Sequence, residues 1–524
     1  MSLGITFNFT FTRVPQALDG LQYCHHIMGT STDENTTGEE NPHETSVWEY
    51  RDLDDIYEEI RQTYLSDDRP WVIGYSGGKD STTTLQLIWK AIDELPDQKQ
   101  SKPIYVISSD TLVETPKIVN HITSSLSKVN EYAEKEDLPF DARKVYPDVD
   151  DSFWVNLLGR GYPAPNQTFR WCTERLKIDP ADNFIMDKVS DHGEVVVILG
   201  ARKAESATRE QVMNLHSIEG TNLARHSKFA NAFVYTPIED WLTEDVWKYL
   251  LNDPCPWGKN HEELAALYNE ADDECPMVID TSTPSCGNSR FGCWTCTVVE
   301  DDKAMENMVD GGDLWMEPLL EFRNFLKSTQ DPDIKSKYRE PKGRQHGYVK
   351  EKTNGGEGII PRSYKLEFRK HLLRKLLETE KEVNDLRDDD EEYLPLIRNE
   401  ELKEIRRIWR SEEADWEDSV PQIYNDVMDE HLDWVHDDLG SFSAAEAEVL
   451  EEVCERHDVP DKLVKRLLDT ELQHHGMKRR ASIYNEIDKI FREDWRSIEE
   501  ITADIEGEEP EQWEYNDSYE EIME

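Results

Sequence analysis

A short loop with two glycines is the part of this sequence best suited to holding a phosphate group. The run Ser76-Gly77-Gly78-Lys79-Asp80-Ser81 follows the apolar stretch WVIGY and precedes a helical pattern. Adjacent glycines let the backbone turn tightly and approach an anion closely. Backbone amides and the N-terminus of the next helix then favour phosphate, and Lys79 adds positive charge. The alternative is a plain strand-to-helix turn, in which Ser, Gly and Asp are common.

Two other polar segments follow apolar runs in the same way. Ser108-Ser109-Asp110-Thr111 comes after PIYVI, and Gly200-Ala201-Arg202-Lys203-Ala204-Glu205-Ser206 comes after EVVVIL. Asp110 and Arg202 are the nucleotide-binding candidates in these segments. A helix N-cap would explain the first segment equally well, and a surface ion pair would explain Arg202. Three such segments after three successive strands nevertheless favour a common phosphate site.

Cys172 has basic neighbours on both sides, in Arg170-Trp171-Cys172-Thr173-Glu174-Arg175-Leu176-Lys177. Nearby positive charge lowers the pKa of a thiol and favours the reactive thiolate. We therefore expect Cys172 to be a functional residue, which either carries a persulfide sulfur or replaces Cys275 or Cys286 as a cluster ligand. The alternative is a small buried apolar residue, which an isolated cysteine often is.

Four further cysteines are crowded into a short stretch and predict a metal centre. They are Cys275, Cys286, Cys293 and Cys296. Their uneven spacing suits an iron–sulfur cluster, while zinc is second choice because only one Cys-x-x-Cys pair is present. Cys172 could replace one of them as a ligand. No role is assigned to the remaining cysteines, Cys24, Cys255 and Cys454.

The elements that must position these residues read as an α/β fold with a parallel sheet. Short apolar runs at 71–75, 103–108 and 194–199 predict buried strands, and helical patterns cover 52–64 and 81–95. Strands that alternate with helices imply βαβ units, whose ligands bind at the carboxyl ends of the strands.

The chain divides by composition into five parts. We expect a flexible N-terminal segment (1–46), a nucleotide-binding domain (47–250), a cysteine-rich cluster region (251–330), a mostly helical region (331–505) and an acidic tail (506–524).

The net charge is −52, yet 15 Trp, 20 Tyr and 15 Phe argue against disorder. Such an acidic surface suits a salt-rich cytoplasm, where charge repulsion is screened. The sequence has neither a membrane-spanning run nor a secretory signal, so we expect a soluble cytoplasmic protein of a halophile.

One segment reverses the charge of the chain. Residues 335–375 hold thirteen Lys or Arg against four Glu, interleaved with Tyr338, Tyr348, Tyr364 and Phe368. Basic residues with aromatic neighbours are a candidate DNA contact, and a solvated helix face with a glycine-rich loop is the equal alternative.

Several segments together resemble a known family. The loop at 76–81 looks like the PP-loop of ATP pyrophosphatases, and the Walker spacing is absent. The segments at 170–180 and 200–206 resemble those of phosphoadenylylsulfate reductases. The whole set, from about 55 to 330, resembles the DndC family of DNA phosphorothioation sulfurtransferases. It comprises WVIGYSGGKDSTTTLQL, PIYVISSDTLVETP, FWVNLLGRGYPAP, FRWCTERLKI, GARKAES, YTPIEDWLTEDVW and TSTPSCGNSRFGCWTCTVV.

The resemblance implies an adenine nucleotide alpha-hydrolase-like fold, a [4Fe-4S] cluster and ATP pyrophosphatase activity with Mg²⁺. It implies DNA, a cysteine desulfurase and other Dnd proteins as partners, in a DNA modification and restriction setting. On this basis ATP would be bound by residues 76–81, Asp110 and Arg202, and Lys79, Asp80 and Cys172 would be catalytic.

The expected reaction begins when a DNA phosphate oxygen attacks the α-phosphorus of ATP and releases pyrophosphate. A persulfide on Cys172, or sulfur delivered through the cluster, then displaces AMP. The rival enzymes are a phosphoadenylylsulfate or adenylylsulfate reductase and a tRNA thiolase. A rival of another class is a non-catalytic, cluster-containing protein that recruits DNA proteins.

Overall fold

The apolar run after Pro70 forms the central strand of a six-stranded sheet in the computed structural model of the protein. The structure describes residues 45–271, 292–341, 350–353, 356–359, 361–388, 390–435, 444–474, 483–493 and 495. The strands are β1 (Trp71–Gly74), β2 (Ile104–Ser109), β3 (Phe140–Val145), β4 (Val195–Ile198), β5 (Leu223–Arg225) and β6 (Ala232–Tyr235). Their order is β3-β2-β1-β4-β6-β5. All neighbours are parallel except β5 and β6.

This topology places a crevice beside the phosphate-loop candidate. The chain builds outward from β1 to β2 and β3 on one side, and to β4 and β6 on the other. The strand order therefore switches between β1 and β4, which is where open α/β sheets bind ligands, at the carboxyl ends. The predicted α/β class with a mostly parallel sheet is confirmed.

Helices cover both faces of the sheet. They are α1 (Leu53–Leu65), α2 (Lys79–Asp93), α3 (Pro116–Glu136), α4 (Trp171–Thr173), α5 (Asp179–His192), α6 (Ala207–His216), α7 (Thr243–Asn252) and α8 (His261–Ala271). Trp71 and Ile73 point into the core shared with α1, α2, α3 and α7, whereas Val72 points to the opposite core beside α5. Alternate side chains of β1 therefore lie in cores on opposite faces of the sheet, as expected for a central parallel strand.

Several elements of this domain were not predicted individually. Strands β3, β5 and β6 lie outside the three predicted runs, helices α3 to α7 lie outside the two predicted helical patterns, and α8 lies within the predicted cysteine-rich cluster region, 251–330. Helix α2 begins at Lys79 and not at Ser81, so Lys79 and Asp80 belong to its first turn. The N-terminal segment, the acidic tail, and Cys275 and Cys286 lie outside the described residues.

The C-terminal region is mostly helical, as predicted. Its helices are α9 (Lys303–Asp310), α10 (Glu317–Ser328), α11 (Lys335–Tyr338), α12 (Leu366–Leu386), α13 (Asn399–Glu412), α14 (Ser419–Met428), α15 (Ala444–His457), α16 (Asp461–His474) and α17 (Ile483–Phe491). Four short strands form two antiparallel pairs: β7 (Arg339–Pro341) with β10 (Pro361–Tyr364), and β8 (Lys350–Thr353) with β9 (Gly356–Ile359). Among the described helices none has the length and apolar content needed to cross a bilayer.

A second apolar core joins this region to the stretch that precedes Cys172. A π-helical turn at Val155–Gly159 packs against α12 and α13. The indole of Trp154 donates to the Leu396 carbonyl at 2.7 Å, and that of Trp409 donates to the Leu158 carbonyl at 2.8 Å. Because these residues share one core, the C-terminal helices support the stretch that leads to Cys172.

Candidate active site

The loop after β1 is closed onto the first turn of α2. The Ser76 amide donates to Ser81 Oγ at 3.2 Å, and Ser81 Oγ donates to the Gly78 carbonyl at 3.1 Å. Gly77 has φ +74°, and a Cβ there would lie 2.8 Å from Ile122 Cγ1. The backbone therefore needs glycine at this position, both for its conformation and for its contact with α3.

A cavity opens beside this loop at the carboxyl ends of β1 and β2. The loop residues Ser76 to Gly78 line it together with Ser108 and Ser109. Its other wall is apolar and contains Ile118, Ile122, Leu264, Leu267 and Tyr268. An apolar wall next to backbone amides and a helix N-terminus suits a ligand with an aromatic base and a phosphate chain.

Lys79, Asp80 and Arg202 form one buried ionic network. Lys79 Nζ lies 2.9 Å from Asp80 Oδ2, and Arg202 Nε donates to Asp80 Oδ1 at 2.6 Å. Arg202 also donates to Thr243 Oγ1 at 3.1 Å, and both cationic side chains are only 1% exposed. The structure thus brings these three predicted site residues together. Direct contact of Lys79 or Arg202 with phosphate stays a prediction.

Close packing of Gly200 on α2 lets Arg202 reach Asp80. A Cβ on Gly200 would lie 2.7 Å from the Asp80 carbonyl carbon and oxygen and 2.8 Å from the Ser81 amide nitrogen. Since these are backbone atoms, they could yield only if α2 moved. Gly200 is therefore the residue that allows the segment after β4 to approach the phosphate loop.

Asp110 shapes the segment after β2. Its Oδ2 lies 3.0 Å from Lys144 Nζ, and its Oδ1 accepts from the Leu112 amide at 2.9 Å. Leu112 has φ +67°, a conformation that is unfavourable for a side chain of this type, so the Asp110 contact helps to hold the turn. A role for Asp110 in binding nucleotide stays a prediction.

The segment 292–296 lies against the turn that follows β2. The Trp294 amide donates to the Val113 carbonyl and the Thr115 amide donates to the Gly292 carbonyl, both at 3.0 Å. Thr111 Oγ1 lies 3.3 Å from Cys293 Sγ, and the Cys296 amide donates to the Cys293 carbonyl at 3.0 Å. The Cys-x-x-Cys pair therefore lies next to the cavity beside the phosphate loop.

Cys172 lies within electrostatic range of this pair. Burial raises the pKa of Cys172 to about 12, the charge of Cys296 raises it further, and Lys177 opposes the shift. Burial also raises the pKa of Cys293 to about 12. The expectation that the basic flank lowers the Cys172 pKa is therefore wrong, because desolvation outweighs it. Arg175, one of the expected cations, instead pairs with Asp151.

Lys177 and Glu114 stand between the cavity and the thiols. Lys177 Nζ lies 3.4 Å from Glu114 Oε1, and both residues line the cavity. Lys177 also acts electrostatically on Cys172 and Cys293. It lies in a second π-helical turn, Glu174–Ile178, and its carbonyl accepts from Ser109 Oγ at 3.0 Å. The cavity and the thiols are thus neighbouring parts of one site.

Several residues of this site were not singled out from the sequence. Thr111 and Glu114 lie in the segment after β2, whose polar character could have indicated them. Tyr268 on α8 accepts from the Lys79 amide at 3.1 Å, and its ring lies 5.4 Å from Lys79 Nζ. No local pattern in the sequence connects Tyr268 to a loop 189 residues away.

The thiols supply the donor chemistry that an iron–sulfur cluster requires. Cys172 and Cys293 each interact electrostatically with Cys296, all three residues are half-buried, and soft thiolates are the ligands that such clusters use. Within the described ranges no three His, Cys, Asp or Glu side chains are arranged as a metal-binding group. Because Cys275 and Cys286 lie outside those ranges, the predicted ligand set stays a prediction.

The predicted DNA-binding segment is only partly at the surface. Tyr338, Tyr364 and Phe368 are at most 5% exposed and belong to the second core, so the expectation that they are surface aromatics is wrong. Arg369 is also buried, pairs with Glu413 and donates to the Gly159 carbonyl. Tyr348 lies outside the described residues.

Two family models match separate parts of the chain. Residues 70–299 match the family model of the phosphoadenosine phosphosulfate reductase domain. Residues 445–492, which cover most of α15 to α17, match a model described as a small protein found in certain Dnd DNA modification systems. The chain therefore combines a reductase-type α/β domain with a small segment of the kind found in Dnd systems.

Individual relatives are more distant. The chain is 27% identical over 241 residues to the uncharacterized protein MJ0066 of Methanocaldococcus jannaschii. That match covers 46% of this chain and 39% of MJ0066, so the chain spans about two fifths of the relative's length.

Two solved structures resemble part of the chain. One is the FMN adenylyltransferase of Candida glabrata in complex with FAD and inorganic pyrophosphate, at 13% identity and TM-score 0.23, covering 39% of this chain and 59% of that one. The other is the U34-tRNA thiolase NcsA of Methanococcus maripaludis with its [4Fe-4S] cluster, at 13% identity and TM-score 0.22. That match covers 41% of this chain and 72% of the thiolase chain.

Proposed function

We propose that this protein is an ATP-dependent sulfurtransferase of the DndC type, which replaces a non-bridging oxygen of a DNA phosphate with sulfur. One observation carries the proposal: the Lys177–Glu114 pair lines the phosphate-loop cavity and lies beside the buried thiols. A site that joins a nucleotide cavity to thiols can activate a phosphate and deliver sulfur to it. The Dnd-type segment at 445–492 supports DNA as the substrate.

ATP would occupy the cavity with its base on the apolar wall and its phosphates on the loop. The amides of Ser76 to Gly78, with Ser81 and the N-terminus of α2, would hold the phosphates. Lys79 and Arg202, both tied to Asp80, provide positive potential that is fixed before the substrate binds. Such preorganised charge stabilises the negative charge that develops as pyrophosphate leaves, and Mg²⁺ bound with ATP would add to it.

The first step forms an adenylylated DNA backbone. A non-bridging oxygen of the DNA phosphate attacks the α-phosphorus of ATP, and the bond to the β-phosphate oxygen breaks with release of pyrophosphate. The DNA phosphorus then carries an AMP leaving group. Lys177 lies at the border between the cavity and the thiols, where it is suited to orient this phosphorus toward Cys172.

The second step transfers sulfur. A cysteine desulfurase donates sulfane sulfur to Cys172, and the terminal sulfur of the persulfide attacks the DNA phosphorus. AMP leaves with the activated oxygen, which gives a phosphorus–sulfur–sulfur link to Cys172. A dithiol reductant attacks Cys172 Sγ, breaks the sulfur–sulfur bond and supplies the two electrons that release the phosphorothioate.

Cys275, Cys286, Cys293 and Cys296 would hold a [4Fe-4S] cluster beside Cys172. When bound, such a cluster would supply iron ions that hold its cysteine ligands as thiolates. Burial raises the pKa of the Cys172 and Cys293 thiols, so metal ions bound there would favour their thiolate forms.

Mass spectrometry of nuclease-digested DNA tests this function. The DNA would come from a host that carries the protein and its Dnd partners, with wild-type, Ser76→Ala and Ser101→Ala forms compared. Ser76 lines the cavity, whereas Ser101 is exposed and distant in the sequence. We expect phosphorothioate dinucleotides with wild type and Ser101→Ala, and none with Ser76→Ala.

A sulfonucleotide reductase is the second candidate, favoured by the family match over residues 70–299. It would release sulfite from phosphoadenylylsulfate or adenylylsulfate and a thiol, without ATP. Absence of phosphorothioates with wild type, together with sulfite release from either compound, would replace the proposed function by this one. If neither product appears, thiolated tRNA nucleosides are the next product to measure.

A further inference from the structure

We propose that a phosphodiester backbone of duplex DNA binds along a basic ridge formed by β7, β10 and one flank of α12. The choice of DNA rests on the proposed function, whereas the ridge itself rests on the arrangement of its cations. We define the basic ridge as Lys337, Arg339, Arg362, Lys365 and Lys375.

Strand pairing brings residues that are distant in the sequence together on the ridge. Arg339 pairs with Tyr364 in the β7–β10 ladder, and the Lys365 amide donates to the Tyr338 carbonyl at 2.9 Å. The neighbours Lys337 and Arg362 are both exposed. Arg339 and Arg362 lie on the two paired strands, and Lys337 and Lys365 lie within two residues of them, so all four cations belong to one small region of the fold.

The flank of α12 continues this patch. Tyr338, just before β7, packs on Phe368 with ring centroids 4.5 Å apart, and Phe325 packs on the same Phe368 at 6.2 Å. Lys375 Nζ lies 5.2 Å from the centre of the Phe325 ring. Phe368 of α12 therefore contacts both the ring that precedes β7 and the ring that lies beside Lys375.

The ridge cations make no ion pairs with other residues that the structure describes. The other flank of α12 differs, because Lys370 lies 3.4 Å from Asp415 and Arg374 lies 2.9 Å from Asp426. Arg339 Nε is buried and also lacks a hydrogen-bond partner within the described ranges. In a chain of net charge −52, a run of uncompensated cations favours an anionic ligand.

The ridge adjoins the loop that leads to Cys172. The Tyr364 amide donates to the Gly161 carbonyl at 2.6 Å, and the Ala164 amide donates to the Tyr364 hydroxyl at 3.1 Å. Thr297, next to Cys296, donates from Oγ1 to the Pro165 carbonyl at 2.6 Å. One loop, residues 161–165, thus contacts the ridge strand on one side and the cysteine segment on the other.

This arrangement gives the ridge a role in orienting DNA. Lys and Arg side chains bind phosphates of any sequence and release condensed counterions. The acidic remainder of the surface repels DNA, so the duplex would be held with one face toward the ridge. Backbone binding at this place would bring a phosphate of the duplex close to the thiol side of the site.

The test is a salt titration of DNA binding with charge-matched variants. The ridge variant is Lys337→Gln/Arg362→Gln/Lys365→Gln in the full chain. The control is Lys99→Gln/Lys303→Gln/Lys462→Gln, which removes three exposed cations elsewhere. A fluorescent 30-base-pair duplex and an RNA hairpin of similar length would be the probes, with binding followed by anisotropy in KCl. Thermal unfolding would be measured for each variant.

We expect the ridge variant to weaken duplex binding by roughly tenfold or more near 0.1 M salt. The slope of log Kd against log salt should fall by up to about 2.7, since each lost phosphate contact removes about 0.9. The control should keep the wild-type slope. Equal slopes for the ridge variant and the control, or no duplex binding by wild type at low salt, would overturn the proposal.

Preference for the RNA hairpin over the duplex would overturn the choice of DNA and favour RNA as the ligand. The salt titration and the mass spectrometry of DNA test the ridge proposal and the proposed function separately. If DNA from the host with the wild-type protein carries no phosphorothioate while the ridge variant still shows weaker duplex binding and a smaller salt slope, the result supports the ridge and contradicts the sulfurtransferase assignment. If phosphorothioate forms but the slope of log Kd against log salt does not depend on these residues, only the ridge proposal is contradicted.

Discussion

The guanidinium group of Arg323 donates to the main-chain carbonyl of Cys296 at 2.8 Å. It also donates to the carbonyls of Val299 at 2.6 Å and Glu300 at 2.8 Å. Arg323 is 1% exposed and lies on α10, beyond the residues that match the reductase domain. The C-terminal region therefore fixes the backbone of the cysteine segment through a single buried side chain.

Arg323→Lys should loosen this segment. A lysine keeps the charge but cannot reach three carbonyls with a planar fork, so buried acceptors lose their donors. We expect the free energy of unfolding to fall by about 3 kcal/mol. Iron bound after anaerobic reconstitution, and the visible absorption of the cluster, should fall well below wild type.

Glu321→Gln is the matched control, since Glu321 is exposed on the same helix. It should leave iron content and unfolding unchanged. Wild-type iron content and absorption in Arg323→Lys would show that the Cys296 contact does not position cluster ligands.

Asp80→Asn should disable pyrophosphate release. The carboxylate of Asp80 bridges Lys79 and Arg202, two cations that are almost fully buried. An amide of the same size removes the charge that holds both of them in place, so their orientation toward phosphate is lost. We expect pyrophosphate release from ATP to fall by about a hundredfold or more.

Asp93→Asn, at the exposed end of the same helix, serves as the control and should release pyrophosphate like wild type. If Asp80→Asn releases pyrophosphate at the wild-type rate, the ionic network of Lys79, Asp80 and Arg202 is not needed for the activation step.

The sequence predicts the parts of this fold that depend on local pattern. The two glycines before Lys79 and the apolar runs of β1, β2 and β4 indicate a phosphate loop in a parallel sheet, and that sheet is present. Strand β3 lacks a continuous apolar run like those that predicted β1, β2 and β4, since Phe140 and Ala142 alternate with charged residues. The short strands β5 and β6 were missed as well, since three or four residues carry little periodic signal.

The relation between cavity and thiols could not be predicted, because it depends on contacts between distant residues. Thr115 donates to the Gly292 carbonyl across 177 residues, and this pairing seats Cys293 beside the cavity. The pKa of Cys172 was misjudged for the same reason. One basic neighbour, Arg175, pairs with Asp151, and burial of the thiol outweighs the opposing charge of Lys177.

Cys172→Ser should separate phosphate activation from sulfur transfer. The ATP cavity is lined by other residues, whereas Cys172 lies on the thiol side of Lys177. We expect DNA-dependent pyrophosphate release to continue, while phosphorothioate dinucleotides disappear from digested DNA. Cys255→Ala is the control, because this half-buried thiol packs against the first core. A wild-type level of phosphorothioate with Cys172→Ser would mean that another thiol carries the sulfur.

His261 on α8 should make the stability of the α/β domain depend on pH. Burial lowers the pKa of His261 to about 4; the positive charge of Lys90 adds to this shift and Asp253 opposes it. His261 Nε2 lies 2.7 Å from Gln86 Oε1, so the neutral ring donates this hydrogen bond. The unfolded chain, with a histidine pKa of about 6.5, binds the proton more readily than the folded chain.

The stability that neutral His261 contributes is therefore complete above about pH 6.5 and is lost as the pH falls toward about 4. The difference in pKa corresponds to roughly 3 kcal/mol. Urea unfolding at pH 7 and pH 4.5 should show a smaller loss of stability for His261→Gln than for wild type. The control variant His192→Gln, which changes an exposed histidine, should lose as much stability between pH 7 and pH 4.5 as wild type. Because many carboxyl groups also titrate in this range, the difference between wild type and His261→Gln isolates the histidine. An equal loss in both would mean that His261 is protonated alike in the folded and unfolded states.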